Sequence, residues 1–191
     1  MLECVINVSE GRRLDVLEGI AAAGGDAVLD LHADPDHNRS VVTLAGPDVL
    51  DAVRAVAEAT VEAIDIGTHT GAHPRTGAVD VVPFVPLTGS TMADAVDGRD
   101  GFAAWMSETV GVPCRVYGPD GPSLPELRAS LRGVAGHPTA GVCCVGARPV
   151  LVAYNLWLQP GVPVTVARSI AEELRGPAVR ALGLEVGGMA Q

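Results

Sequence analysis

Apolar and polar positions alternate over residues 2–8, with Cys4, Ile6 and Val8 in step and Glu3 and Asn7 out of step, which is the period of a strand. Ser9-Glu10-Gly11 turns the chain into helical spacing over 14–23. After the Gly24-Gly25-Asp26 break a second strand is predicted over 27–32. Asp34-Pro35-Asp36 then turns into a third strand over 40–45. Leu50, Val53, Val56, Ala57, Val61 and Ile64 recur at three- and four-residue steps, so a long helix to about residue 64 buries one stripe, with Pro47 fitting its first turn. A fourth strand follows over 78–85, a weaker helix over 92–110 and a short strand over 114–117. The order β-α-β-β-α-β, then α-β, is the split βαβ pattern of a ferredoxin-like sandwich, an α+β class.

From 118 to 141 the chain turns rich in Gly, Pro and Ser, a long surface excursion with a short helix near 126–131. A strand over 149–158, a helix over 165–174 and a strand over 181–186 make half of a second, similar α/β unit. The expected division is a first subdomain over 1–146 and a partial second over 147–191. An incomplete second unit leaves a sheet edge or face uncovered. Either a partner chain, such as the second copy of a homodimer, covers it, or the sequence is shortened.

Composition narrows the function. The chain has 191 residues, 48% hydrophobic and 19% charged, which excludes disorder and suits one domain or two small ones. No apolar run reaches the ~18 residues of a membrane span, and no basic, then apolar leader opens the chain, so the expectation is a cytoplasmic protein with no membrane partner. A net charge of −10 argues against nucleic acid. All 13 cations are arginine, so Schiff-base and P-loop lysine chemistry is excluded, and an anionic substrate must be held by arginine forks, backbone amides or histidine. Cys4, Cys114, Cys143 and Cys144 fit neither a disulfide framework nor a zinc site. They read as reduced thiols, with a reactive Cys143 or Cys144 the lesser reading.

The chemistry concentrates between the long helix and the fourth strand. His69, His73, Arg75 and Asp80 fall within twelve residues, and Gly71, Pro74 and Gly77 make the segment a shaped loop. Pro74 biases His73 to an extended conformation that presents its imidazole outward, beside Arg75. Histidine is the natural acid–base at neutral pH. Competing readings stand: His69 and His73 as zinc ligands, although their spacing suits a helix that is broken here; His73 as the cap of a turn; His69 as a surface residue; and Asp80 as either an orienter of His73 or a buried partner of Arg75. A second polar cluster, residues 34–40, offers Asn38 and Arg39 to a polar substrate or is a solvated turn. Asn7 ends the first strand close to the same cleft. A third, His137-Pro138-Thr139-Ala140-Gly141, has small residues that let a flat ring approach the backbone, or is the end of a linker.

Taken together these residues resemble the formiminotransferase family, the glutamate formimidoyltransferases. The family's opening E-C-V-x-N-x-S-E-G stands as Glu3-Cys4-Val5-Ile6-Asn7-Val8-Ser9-Glu10-Gly11, and its N-R-[ST] as Asn38-Arg39-Ser40. Its H-x-G-E-H-P-R-x-G-A-x-D-V-x-P-F is matched over residues 69–84 with Ala72 in place of glutamate, and Gly146-Ala147-Arg148 opens the second unit. His32 stands where many relatives carry aspartate, which bears on how His73 is oriented. The resemblance implies two ferredoxin-like subdomains around a folate groove and transfer of a formimino group from N-formimino-L-glutamate to N5 of tetrahydrofolate, the acceptor substrate, within one-carbon and histidine metabolism. It implies His73 as the catalytic acid–base and a folate-binding stretch at about residues 132–141. The donor's carboxylates would go to Arg39 and Arg75, with Arg148 a further candidate. Alternatives are a non-catalytic folate-binding module and a transferase using a different formimino or formyl donor.

Overall fold

A computed structural model describes all of residues 1–191. The chain begins with β1 (Leu2–Val8), α1 (Leu14–Ala22), β2 (Val28–Asp34), β3 (Arg39–Gly46), α2 (Val49–Ala63) and β4 (Val79–Pro86). Here β1 lies between β3 and β4, antiparallel to both, and β2 flanks β3, which is the split βαβ arrangement expected. Pro47 lies outside α2, whose N-cap is Asp48, so the helix begins two residues later than the proline suggests. Next come α3 (Met92–Trp105), β5 (Cys114–Tyr117), α4 (Leu124–Ser130) and β6 (Cys143–Ala147). A capping box starts α3: Thr91 Oγ1 accepts from Asp94 N–H, and Asp94 accepts from Thr91 N–H. The helix runs out through a π turn over Met106–Val110.

The sequence reading missed β6, and it is central. It inserts between β4 and β5, parallel to both, giving one six-stranded sheet ordered β2-β3-β1-β4-β6-β5. Its residues are small and include Gly146, so no alternation marks it. It is buried on both faces, as parallel strands in a sheet centre are.

One face of the sheet is covered by α1, α2 and α3. Cys4, Ile6, Val8, Val42, Leu44, Val82, Phe84 and Val145 pack there against Leu17, Ile20, Val53, Val56 and Phe102. Each large side chain so buried contributes roughly 1.5–3 kcal/mol. The opposite face carries Asn7 and Arg39, and a small cluster of Val81, Tyr117, Leu127 and Cys144 lies under α4.

Residues 149–158 are not a strand. They form no helix or strand and pair with neither free edge of the sheet, and Val152 and Tyr154 are 84% and 75% exposed. The expectation failed because apolar content alone does not supply a partner strand. Helix α5 (Val164–Leu174) stands as expected. Of the strand over 181–186 only β7 (Glu185–Val186) forms, paired with β8 (Met189–Ala190) in a small separate hairpin. The turn of that hairpin lies against Asp36 in the β2–β3 turn. No helix is long and apolar enough to cross a membrane.

Candidate active site

The site grows from a bulge. Asn7 pairs with Val81 and Val8 with Val79, so Asp80 is an extra residue in β4. A bulge re-aims side chains locally. Here it sends both Asp80 and Val81 to the face away from the three helices, and Asp80 is fully buried in an otherwise apolar strand. An unpaired buried carboxylate is untenable, and this one is heavily paired. Arg39 Nη1 and Arg128 Nη2 each donate to Asp80 Oδ2 at 2.5 Å, and Thr76 N–H and Oγ1–H donate to Oδ1 at 2.7 and 3.0 Å. Burial alone would raise the Asp80 carboxyl, but the guanidiniums of Arg39 and Arg128 outweigh it and hold the group below the usual carboxylate range. Arg39 Nη2 also donates to Asn7 Oδ1 at 3.0 Å. Asp80 therefore neither orients His73 directly nor pairs with Arg75, the two roles its position in the sequence suggests. It locks Arg39 and Arg128.

Arg128, on α4, is a member of this network that the sequence reading missed. A lone arginine on a short helix 48 residues from its carboxylate partner leaves no signal of spacing.

His73 stands over the network, half-buried. Its Nδ1 lies 2.6 Å from the carbonyl of Pro74. A carbonyl only accepts, so Nδ1 carries the hydrogen and Nε2 keeps its lone pair. Burial, reinforced by the positive charge of Arg39, pushes the imidazole down to about 4. At neutral pH His73 is an uncharged base whose free nitrogen is Nε2.

Arg75 ties its own loop together. Nη2 donates to the carbonyls of Gly71 and His73, and Nη1 donates to His69 Nδ1. His69 is thus occupied as an acceptor, and no group of three His, Cys, Asp or Glu side chains is placed to hold a metal ion. Asn38, at φ +48, accepts from Gly11 N–H at 2.9 Å and donates to the Thr70 carbonyl at 2.8 Å, so it fastens the β2–β3 turn to the loop. The approach is close: a Cβ on Gly71 would stand 2.3 Å from the His37 carbonyl oxygen. His32 is exposed on the edge strand β2, and its side chain bonds nothing in the site.

The segment from His137 to Gly141 backs the same loop. Ala78 N–H donates to the Ala140 carbonyl, Val142 N–H to that of Thr76, and Ile66 N–H to that of Thr139. His137 closes its own turn, with Nδ1 accepting from Ala140 N–H at 3.1 Å, while Pro138 and Thr139 stay exposed. Gly141, at φ +68, leaves no room for a side chain, since a Cβ would meet the Thr76 carbonyl oxygen at 2.4 Å. Between the loop and the C-terminal end of α4 lies a cavity of about 270 Å³ lined by Arg75, Thr76, Arg128, Leu131, Arg132 and Val142 among others. Three arginines thus make a cationic groove on an acidic chain. Arg148 is not part of it. It follows the C-terminal end of β6, about 16 Å along the sheet from Asp80 at ~3.3 Å per residue.

Residues 1–133 match the model of the formiminotransferase domain, N-terminal subdomain. The chain is 34% identical to a glutamate formimidoyltransferase of Streptococcus pyogenes serotype M1, over 92% of this chain and 68% of that one. It is 32% identical to one of Thermoplasma acidophilum, over 92% and 67%. It is also 34% identical to a formimidoyltransferase-cyclodeaminase of Sus scrofa, over 82% of this chain and 34% of that protein. These matches define a formimidoyl-group transferase class; the chain belongs to the formiminotransferase family. It spans about two thirds of the length of the two glutamate formimidoyltransferases and a third of the bifunctional relative.

Proposed function

We propose that the chain transfers a formimino group from N-formimino-L-glutamate to N5 of tetrahydrofolate, with His73 as the acid–base. The observation that carries this reading is the state of His73: a neutral imidazole with Nε2 free, standing over an arginine network whose Arg128 also lines the groove. N5 of the acceptor attacks the amidine carbon, forming the new C–N bond as its proton passes to His73 Nε2. The bond from that carbon to the glutamate nitrogen then breaks, and the proton returns to the leaving nitrogen. One imidazole serves both steps, taking the proton from the nucleophile and giving it to the leaving nitrogen.

The groove, at about 270 Å³, is below the usual range for a drug-sized ligand, so it suits a short dicarboxylate and not a whole folate. Arg128, Arg132 and Arg75 are its carboxylate-facing cations. Arg39, engaged on both sides, acts by charge. The segment from His137 to Gly141, with Pro138, Thr139 and Ala140, borders the acceptor. The reading divides the chain into a subdomain over 1–146 and part of a second over 147–191, which the end of the large sheet at Ala147 supports. The test is incubation with N-formimino-L-glutamate and tetrahydrofolate, following 5-formimino-tetrahydrofolate by absorbance. Product is expected. Saturable binding of tetrahydrofolate without product would favour a non-catalytic folate-binding module.

A further inference from the structure

The β2–β3 turn holds a second imidazole that the transfer chemistry above does not use. His37 is buried, and its ring centroid lies 6.2 Å from that of His73, with the planes tilted by 57°. Its Nδ1 lies 2.7 Å from Asp34 Oδ2. A carboxylate accepts, so Nδ1 carries the hydrogen and Nε2 is the basic atom, as in His73. Asp34 is itself fixed, because its Oδ1 accepts from the backbone N–H groups of Asp36 and His37 at 2.9 Å each. The spacing of the two rings is fixed as well. Asn38 bonds the loop, and Gly71 lets that loop touch the His37 carbonyl.

Resting on the proposed transfer, we infer that His37, oriented by Asp34, is a positioning residue that receives the proton taken up by His73 and returns it before the leaving nitrogen departs. The argument is one of charge. The groups facing His73 are Arg39 from β3, Arg128 from α4 and Asp80 from β4, and Asp80 is already shared between the two arginines. A cation on His73 meets net positive charge. A cation on His37 meets the Asp34 carboxylate directly. The ring separation is one that a single water, or an N–H of bound substrate, bridges. The balance is closed: an N–H bond breaks on the nucleophile as C–N forms, the proton passes from His73 Nε2 to His37 Nε2 and back, and an N–H bond forms on the departing glutamate nitrogen.

The alternative is that Asp34 and His37 only pin the turn. The full-length variants His37→Gln and Asp34→Asn separate the two roles through kcat, KM and Tm, with the ¹⁵N-imidazole titration of His73 followed by NMR. The expected result is a fall in kcat of about 10²-fold at unchanged KM and Tm, the low end for a proton-transfer group, and a displaced His73 titration in both variants. A kcat or a His73 titration that stays at the wild-type value overturns the inference, as does a kcat loss that only tracks a fall in Tm. If His37→Gln does not fold, Asp34→Asn decides, since asparagine keeps the Oδ1 acceptor. If wild-type protein transfers no formimino group, the proposed function fails, and the titration alone decides whether the two imidazoles are coupled.

Discussion

The two faces of the sheet obey different rules. Under α1, α2 and α3 the inward positions are almost all apolar, with Ser40 and Thr60 the buried exceptions, so that face is built to exclude water. On the other face the alternation is interrupted at Asp80, a carboxylate is buried with two arginines, and an imidazole is kept uncharged beside them. The first face gains stability from area. The second gives some of it up, because desolvating charges is repaid only when every partner is in place. Chemistry sits where the local rules are broken.

Breaking each face in turn should separate activity from stability. His73→Ala is expected to lower kcat by roughly 10²–10⁴-fold with Tm unchanged, measured by product formation and thermal melting. Asp80→Ala leaves Arg39 and Arg128 buried together without their carboxylate. It should cost about 3–5 kcal/mol of stability in urea and abolish activity as well. On the opposite face, Leu17→Ala should cost about 2–5 kcal/mol yet leave the kcat of the folded fraction intact.

The pH profile gives a smaller, sharper contrast. The His73 imidazole is depressed to about 4, against ~6.5 for a free histidine, so its basic form persists in acid. The sign follows. Between those two values the unfolded chain binds the proton and the folded one does not, so this group's contribution to stability is full above ~6.5 and is lost as pH falls through about 4. kcat/KM should not halve near pH 6.5 but hold its level well below it, as stopped assays across pH 4–8 would record. The smallest effect is expected from Arg148→Ala, which should leave kcat/KM within about twofold, since that residue stands at the far end of β6.

The helix-covered face was largely legible in the sequence because periodicity encodes it. The stripe through Val53, Val56 and Ala57 and the steps of β1 give strand and helix within a residue or two. The chemical loop was legible too, through its density of His, Arg and Asp among glycines. What could not be read depends on tertiary proximity. Asp80 pairs with Arg39 from β3 and Arg128 from α4, 41 and 48 residues away. His37 approaches His73 only because Asn38 and Gly71 join two turns. Strand β6 carries no alternation to read, and the apolar run after Pro149 mimics a strand that has nothing to pair with. Arg148 was drawn in by its motif, but its strand points it elsewhere.

The placement of β6 bears on how the molecule is assembled. The slot between β4 and β5 is filled by residues that leave the ribosome after both of its walls and after α3, which bridges them. Until Cys143–Ala147 arrives, β5 has no hydrogen-bonded neighbour at all. The four antiparallel strands close early through hairpin and helix contacts, whereas the parallel pair on either side of β6 waits for a distant segment, the kind of long loop closure that slows a folding reaction. A slow final phase that docks β5 and β6 together, and with them the backbone rungs from Val142 to Thr76 and from Ala78 to Ala140 that brace the histidine loop, follows from strand order alone. Catalytic competence would then be acquired last, after most of the core has already closed.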